Sequence, residues 1–143
     1  VDYKQPANIR MRKSSDVAEK KCMQFLDMNN VKYHKLGFDC WDVPVEDFIK
    51  MPKKIRNIPD FICMGKFPFF CEAKAFKGVF KLKEDDLHSY KYWNVHMPLF
   101  FYAYDVKNCT ESYISFIDIL DKIPLCETGV YPDNNKTYYK IRL

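Results

Sequence analysis

Apolar and polar positions recur along this chain with two different periods, and the changes of period mark its elements. From Ser14–Asp16 onward, Ala18, Cys22, Phe25, Leu26 and Asn29 repeat at the spacing of one helix face, and Asn29–Asn30 closes the run. Val31–Cys40 has the character of a strand leading into a loop. Residues 41–57, interrupted by Pro44 and Pro52, are irregular apart from a helical turn near Glu46–Lys50. Pro59–Met64 and Phe67–Ala75 are two short strand patterns separated by Gly65–Lys66, which predicts a hairpin. Lys83–Val95 has helical length, with Leu87, Tyr90 and Asn94 on one side and Pro98 beyond its end. Leu99–Val106 (LFFYAYDV) is the continuous apolar run of a strand buried on both faces. Tyr113–Ile117 predicts a further strand, followed by a short helix through Lys122, and Lys136–Leu143 predicts an edge strand after the turn at Asp133–Asn135. Residues 1–13 are polar and predict a loose N-terminal segment. The order helix, three strands, helix, strand, then C-terminal strands predicts an α/β fold with a central mixed sheet flanked by helices.

Composition narrows this picture without changing it. The 143 residues suit one domain spanning 1–143, and 48% hydrophobic with 17% aromatic residues excludes a disordered chain. No apolar run approaches the ~18 residues that span a membrane. The segment VDYKQPANIRMRK lacks the apolar middle of a secretory signal, so the expectation is an intracellular protein without membrane contact. The 6 cysteines show neither CxxC nor zinc-finger spacing, which fits reduced, buried thiols. His34, His88 and His96 have no metal-binding spacing, and with only 4 glycines there is no phosphate-cradling loop.

The net charge of +4 is a mild excess, and its distribution says more than its size. Lys50, Lys53, Lys54 and Arg56 crowd just before Asp60, and Lys77, Lys81 and Lys83 follow Lys74; Arg10, Arg12 and Lys13 form a third group. One such cluster is ordinarily a solvated surface. Two that bracket the same acidic stretch suit a polyanion, which makes the first seven of these side chains candidate DNA contacts of the sequence-independent, phosphate-directed kind.

The acidic stretch is IPDFICMGKFPFFCEAK, Ile58 to Lys74. It places Asp60, Glu72 and Lys74 among aromatics, where a lone charge costs several kcal/mol to bury. If Lys66 centres the turn, Asp60 lies directly across from Glu72, with Cβ atoms roughly 4.5–5.5 Å apart, and Lys74 points to the same face. Two opposed carboxylates repel. A lysine offsets part of that repulsion and a divalent cation offsets more. Carboxylate oxygens are the ligands Mg²⁺ or Mn²⁺ prefers, and such ions commonly also contact a phosphate. The trio therefore predicts a metal-dependent phosphodiesterase site. The competing reading is a salt-bridge patch on an exposed hairpin face.

Pro59-Asp60 and Glu72-Ala-Lys74, with the hydrophobic FPFFC run between, resemble the signature of the PD-(D/E)XK nuclease superfamily. The element order from residue 14 to 106 is similar as well. The resemblance implies a restriction-endonuclease-like core, order α-β-β-β-α-β, in a metal-dependent deoxyribonuclease acting on linear double-stranded DNA. The compact size and basic flanks extend the expectation to a small viral, archaeal nuclease. It implies Asp60, Glu72 and the backbone carbonyl of Ala73 as metal ligands, with Lys74 as the catalytic lysine beside Asp60 and Glu72. Glu19, on the first helix, matches the acidic residue many members supply there; Asp16 and Glu19 also have the spacing of a capping box. Where many members carry a glutamine at the start of the later helix, this chain has Asp85, Asp86 and His88. Nucleases that cut both strands often dimerise, so a homodimer is also expected. The alternative is a non-catalytic DNA-binding or virion module on the same fold.

Overall fold

The computed structural model describes the backbone of residues 7–36 and 44–143, with side chains from residue 17 onward except Val45. Helix α1 (Ala7–Met28) leads into β1 (Lys32–Lys35). Two short helices, α2 (Val45–Lys50) and α3 (Lys53–Arg56), precede the hairpin of β2 (Phe61–Met64) and β3 (Pro68–Phe76). Then come β4 (Phe80–Lys83), α4 (Glu84–His96), β5 (Leu99–Asp105), β6 (Thr110–Ser115) and α5 (Phe116–Lys122). A single 3-10 turn at Ile123–Leu125 precedes the last two strands, β7 (Glu127–Val130) and β8 (Thr137–Ile141).

The main sheet has five strands in the order β1-β2-β3-β5-β6. All its neighbours run antiparallel except β3 and β5, which are parallel. A parallel pair needs a crossover, and the segment from β3 to β5 supplies it through α4. The chain is thus a mixed α/β protein built on a five-stranded mixed sheet with helices.

Alternation along β3 assigns its residues to two layers. Phe69, Cys71 and Ala73 join Ala18, Cys22 and Leu26 of α1, Phe61 and Cys63 of β2, and Tyr102 of β5 in one buried cluster. Phe70 belongs to the opposite layer with Leu87 and Tyr90 of α4, Leu99, Phe101 and Ala103 of β5, and Phe116 and Ile119 of α5. Glu72 and Lys74 share the second face, since they alternate with Cys71 and Ala73.

Several boundaries depart from the sequence pattern for identifiable reasons. The segment 1–13, expected to be loose, is helical from Ala7; Arg10, Met11, Arg12 and Lys13 are good helix formers, with no Gly or Pro among them. Asp16 is therefore inside the helix, and a capping box with Glu19 does not arise. The strand expected at Val31–Cys40 is paired only over Lys32–Lys35, and its last four residues lie outside the described region. The strand expected at Tyr113–Ile117 ends at Ser115, because Ser115 Oγ accepts from the Asp118 N–H at 3.1 Å and caps α5. Two strands the pattern did not reveal, β4 and β7, flank β8 in a second, three-stranded sheet ordered β4-β8-β7. The C-terminal strand is consequently central to that sheet and not an edge.

Candidate active site

The β2–β3 register pairs Phe61 with Cys71, Ile62 with Phe70, and Met64 with Pro68. The turn is thus centred on Lys66, and Asp60, one residue before β2, falls opposite Glu72. At that point the two strands part. The backbone N–H of Ala73 donates to Asp60 Oδ2 at 2.8 Å, so a side chain takes over where the main-chain ladder stops. The Asp60 carbonyl is held from the other side by the Leu36 N–H, also at 2.8 Å. In an extended strand the N–H and C=O of one residue face the same edge, so the Ala73 carbonyl is directed toward the edge that Asp60 occupies. Pro59, immediately before Asp60, is fully buried and lends the segment a fixed backbone angle.

Glu72 is 6% exposed, a carboxyl set into an otherwise apolar layer. Burial is the main cause pushing its pKa well above the usual carboxylate range, followed by the charge of Asp60 and a hydrogen bond between the two carboxyls. Lys74 and the hydroxyl of Tyr90, which donates to Glu72 Oε2 at 3.2 Å, pull it back down. Glu72 therefore holds its proton more tightly than an exposed glutamate does. The Lys74 pKa is raised, with Tyr90 and then Glu72 favouring the ammonium against the opposing effect of burial. Its Nζ stands 5.9 Å from the Tyr90 ring centroid. The arrangement is two acids and one ammonium gathered on one face at the point where β2 leaves β3.

Tyr90 joins this group, although on the apolar side of a helix it reads as packing. Its ring does pack, edge-on against Phe101 at 5.0 Å and against Phe116 at 6.0 Å. Its polar tip continues past that layer to Glu72. The available signal was that a buried tyrosine needs a partner for its hydroxyl, together with its place on the helix that bridges β3 and β5.

The remaining sequence candidates divide. Glu19 pairs with Lys35 Nζ at 3.0 Å. Its neighbours Ala18 and Cys22 pack on the face of β3 opposite Glu72. Among the described residues no three His, Cys, Asp or Glu side chains form a group that could hold a metal. Asp85 and Asp86 lie in the first turn of α4. Asp86 Oδ1 accepts from Asn57 Nδ2 at 3.2 Å and lies 3.6 Å from Lys53 Nζ. Asp85 is bound by Lys136 at 3.2 Å, and Lys136 with Lys53 holds its carboxyl below the usual value. His88 is exposed.

The basic groups border the same helix from two sides. On the α3 side, Trp93 Nε1 donates to the Lys54 carbonyl at 2.9 Å, and Lys54 Nζ sits 4.6 Å from the Tyr92 ring centroid. Lys50 is exposed, and the Nε of Arg56 is buried with no hydrogen-bond partner. On the other side Lys81 and Lys83 lie on β4, which runs directly into α4. Lys77, also exposed, lies just before the tight bend at Gly78 (φ 77°). Asp105 stabilises that bend by accepting from the Gly78, Lys107 and Asn108 backbones.

The five described cysteines are unbridged, as expected, but only Cys22, Cys63 and Cys71 are buried; Cys126 is half-buried and Cys109 is exposed, against the expectation of buried thiols. Cys22 and Cys71 face each other at 3.7 Å between sulfurs, and burial pushes the Cys63 thiol up to about 12, so these are packing groups and not nucleophiles. No described helix is long and apolar enough to cross a membrane. No protein-family model matches the chain, and no curated protein or solved structure matches it either.

Proposed function

We propose that the chain is a metal-dependent deoxyribonuclease with a restriction-endonuclease-like core, hydrolysing phosphodiester bonds of linear DNA. One observation carries the reading: the β2–β3 register sets Asp60 opposite Glu72 where β2 parts from β3, with Lys74 on the same face of β3 as Glu72. The sheet supports it, because α1, β1, β2, β3, α4 and β5 follow the order that the sequence resemblance implies, with β3 and β5 parallel.

The donor set fits a hard divalent cation, Mg²⁺ or Mn²⁺. With both ionised, the two carboxyls carry more negative charge than the one ammonium of Lys74 offsets, and the Ala73 carbonyl faces the same edge. Asp60, Glu72 and that carbonyl would hold the ion. When bound, it supplies Lewis acidity at the scissile phosphate and acidifies a water. The chain's own residues do the rest. The Ala73 N–H fixes the Asp60 carboxylate. Tyr90 orients Glu72 and lowers its proton affinity. Lys74, kept charged, stabilises the negative charge that grows on the phosphate oxygens in the transition state. Lys50, Lys53, Lys54, Arg56, Lys77, Lys81 and Lys83 grip phosphates without reading bases.

A second reading is favoured by the burial of Glu72: a protonated acid pair, satisfied by Tyr90 and Asp60, needs no ion, and the domain would then bind DNA without cutting it. One assay separates the two. Labelled linear, circular and branched DNA is incubated with the parent and with Glu72→Ala, in Mg²⁺ and in EDTA. Cleavage by the parent in Mg²⁺ alone, absent in the variant, supports the nuclease. Equal DNA binding in EDTA with no cleavage under any divalent ion supports the binding module.

A further inference from the structure

We propose that the outer face of the small β4-β8-β7 sheet is a docking platform for single-stranded DNA. Tyr131 and Tyr138 would supply stacking surfaces for unpaired bases, and Lys81 and Lys83 would contact the flanking phosphates. The proposal rests on the nuclease reading for its substrate, and it narrows that substrate to DNA with an unpaired end.

Strand alternation builds the platform. Phe80, Leu82 and Ile141 are buried in the layer beneath, so Lys81, Lys83, Tyr138 and Lys140 point the other way. Lys83 and Gly129 are the cross-strand partners of Tyr138 on its two sides. A side chain at Gly129 would collide with the Tyr138 ring, so glycine is what lets that ring lie across the sheet. Tyr131 is fixed at the start of the β7–β8 turn: its N–H donates to the Lys136 carbonyl and its own carbonyl accepts from the Asn135 N–H, each at 2.9 Å. The two rings lie 4.5 Å apart between centroids and are inclined by 47°, so they do not consume each other's faces by stacking.

On this face Lys140 pairs with its cross-strand partner Glu127 at 4.0 Å and Lys83 acts on the Asp85 carboxyl, while Lys81 and Lys83 lie over the rings. Lys81 Nζ is 4.9 Å from the Tyr138 centroid and 5.9 Å from that of Tyr131, and Lys83 Nζ is 5.7 Å from Tyr131. The 4.9 Å contact lies well within the reach of cation–π attraction, about 6 Å, and the other two near its limit; neither lysine is within ion-pairing distance of a carboxylate among the described residues. An ammonium resting on an aromatic face can shift to a phosphate and leave that face to a base. Duplex DNA hides its base faces inside the stack, whereas a single strand presents them, so rings interleaved with lysines select the single strand.

The platform is continuous with the active site. Lys83 is the last residue before α4, and Lys136 ties the β7–β8 turn to Asp85 in the first turn of that helix at 3.2 Å. Tyr90, one turn further on, holds Glu72. The platform thus adjoins the first turn of the helix whose Tyr90 donates to Glu72.

The test is binding with cleavage blocked by EDTA. Fluorescence anisotropy is measured with a labelled oligothymidine of about twelve nucleotides, within the range one such domain covers, and with a blunt duplex of matched length. Tyr138→Ala should weaken oligothymidine binding roughly tenfold or more, and change duplex binding less than about twofold; Tyr138→Phe should keep the parent's affinity. An equal loss on both probes, no loss on either, or a Phe variant as weak as the Ala variant would overturn the platform. If Tyr138→Ala does not fold, photocrosslinking of an iodouracil-substituted single strand to the parent decides. Adducts on Tyr131 or Tyr138 support the platform, and adducts confined to other surfaces sink it. A protein that crosslinks at Tyr138 yet cuts no DNA in Mg²⁺ keeps the platform and loses the nuclease reading. One that cuts in Mg²⁺ with no dependence on Tyr138 does the reverse.

Discussion

The two faces of β3 are made by one strand and obey different rules. Toward α1 it presents Phe69, Cys71 and Ala73, which meet Ala18, Cys22 and Leu26 in a layer of small and apolar groups. Toward α4 it presents Phe70, Glu72 and Lys74, and the aromatic layer there is broken by a carboxyl, an ammonium and a phenol. The first face shows what this strand needs in order to fold: close packing, with no charge. The second holds charges that packing does not require and burial penalises. Charges kept at such a cost point to a task other than stability, and Asp60 placed across from Glu72 is the feature on which the proposed function rests.

The comparison is tested hardest by removing charge from one face and volume from the other. Glu72→Gln keeps the shape and removes the anion. Cleavage of linear DNA in Mg²⁺ should fall by about a thousandfold or more, since a metal's Lewis acidity is worth several kcal/mol and each factor of ten is 1.36 kcal/mol. Stability should not fall, because a buried acid that resists ionisation is replaced by a neutral amide. A rate within about tenfold of the parent would remove Glu72 from the chemistry. Leu26→Ala on the α1 face should do the opposite. Leu26 is 1% exposed, and truncation there should cost about 2–5 kcal/mol of unfolding free energy, with the rate per folded molecule unchanged. If Leu26→Ala slows cleavage at full folding, the two faces are not separable.

A subtler cut is Tyr90→Phe, which retains the ring against Phe101 and Phe116 and deletes only the hydroxyl. As a positioning residue, Tyr90 should be worth roughly ten- to a hundredfold in rate, the usual range for groups that orient a metal-binding side chain. Its hydrogen bond lowers the proton affinity of Glu72, so its loss should shift the acid limb of the pH–rate profile to higher pH. A uniform fall in rate with no shift of that limb would make Tyr90 a packing residue only.

The parts legible in the sequence were those governed by local rules. The hairpin register followed from centring the turn on Lys66 and from the period of two, and it put Asp60 opposite Glu72. The crossover helix followed from its length and its apolar side. The second sheet was hidden because β4 and β7 are four residues each, and their pairing depends on β8, far away in sequence: Phe80 pairs with Ile141 and Gly129 with Tyr138. Its strands become strands by tertiary contact and not by their own pattern. Glu19 could be assigned to the rim of the α1 stripe, but whether it met the acids or Lys35 was fixed by β1, whose position a helical wheel does not contain. Tyr90 was obscured because a tyrosine's apolar body and polar tip give the same sequence signal whichever of them is in use.

The smallest expected effect concerns pH, and its sign follows from the direction of one shift. Glu72 has a folded-state pKa raised above its unfolded value, close to the ordinary ~4.3 of a glutamate. A raised value means that the folded protein binds a proton the unfolded chain has released. The associated stability is fully present below about pH 4.3 and is lost as pH rises through the folded-state value. In metal-free buffer, the difference in melting temperature between Glu72→Gln and the parent should therefore widen in favour of the variant from pH 5 to pH 8. Taking that difference cancels groups common to both proteins, such as Asp85 and Asp105, whose lowered values give the opposite slope. Mg²⁺ should narrow the gap, and more at pH 8 than at pH 5, because an ion competes with the proton for the same oxygens. Scanning calorimetry of both proteins with and without Mg²⁺ measures all of these terms. A gap independent of pH would mean that Glu72 is ionised without penalty, and the contrast between the two faces of β3 would lose its physical basis.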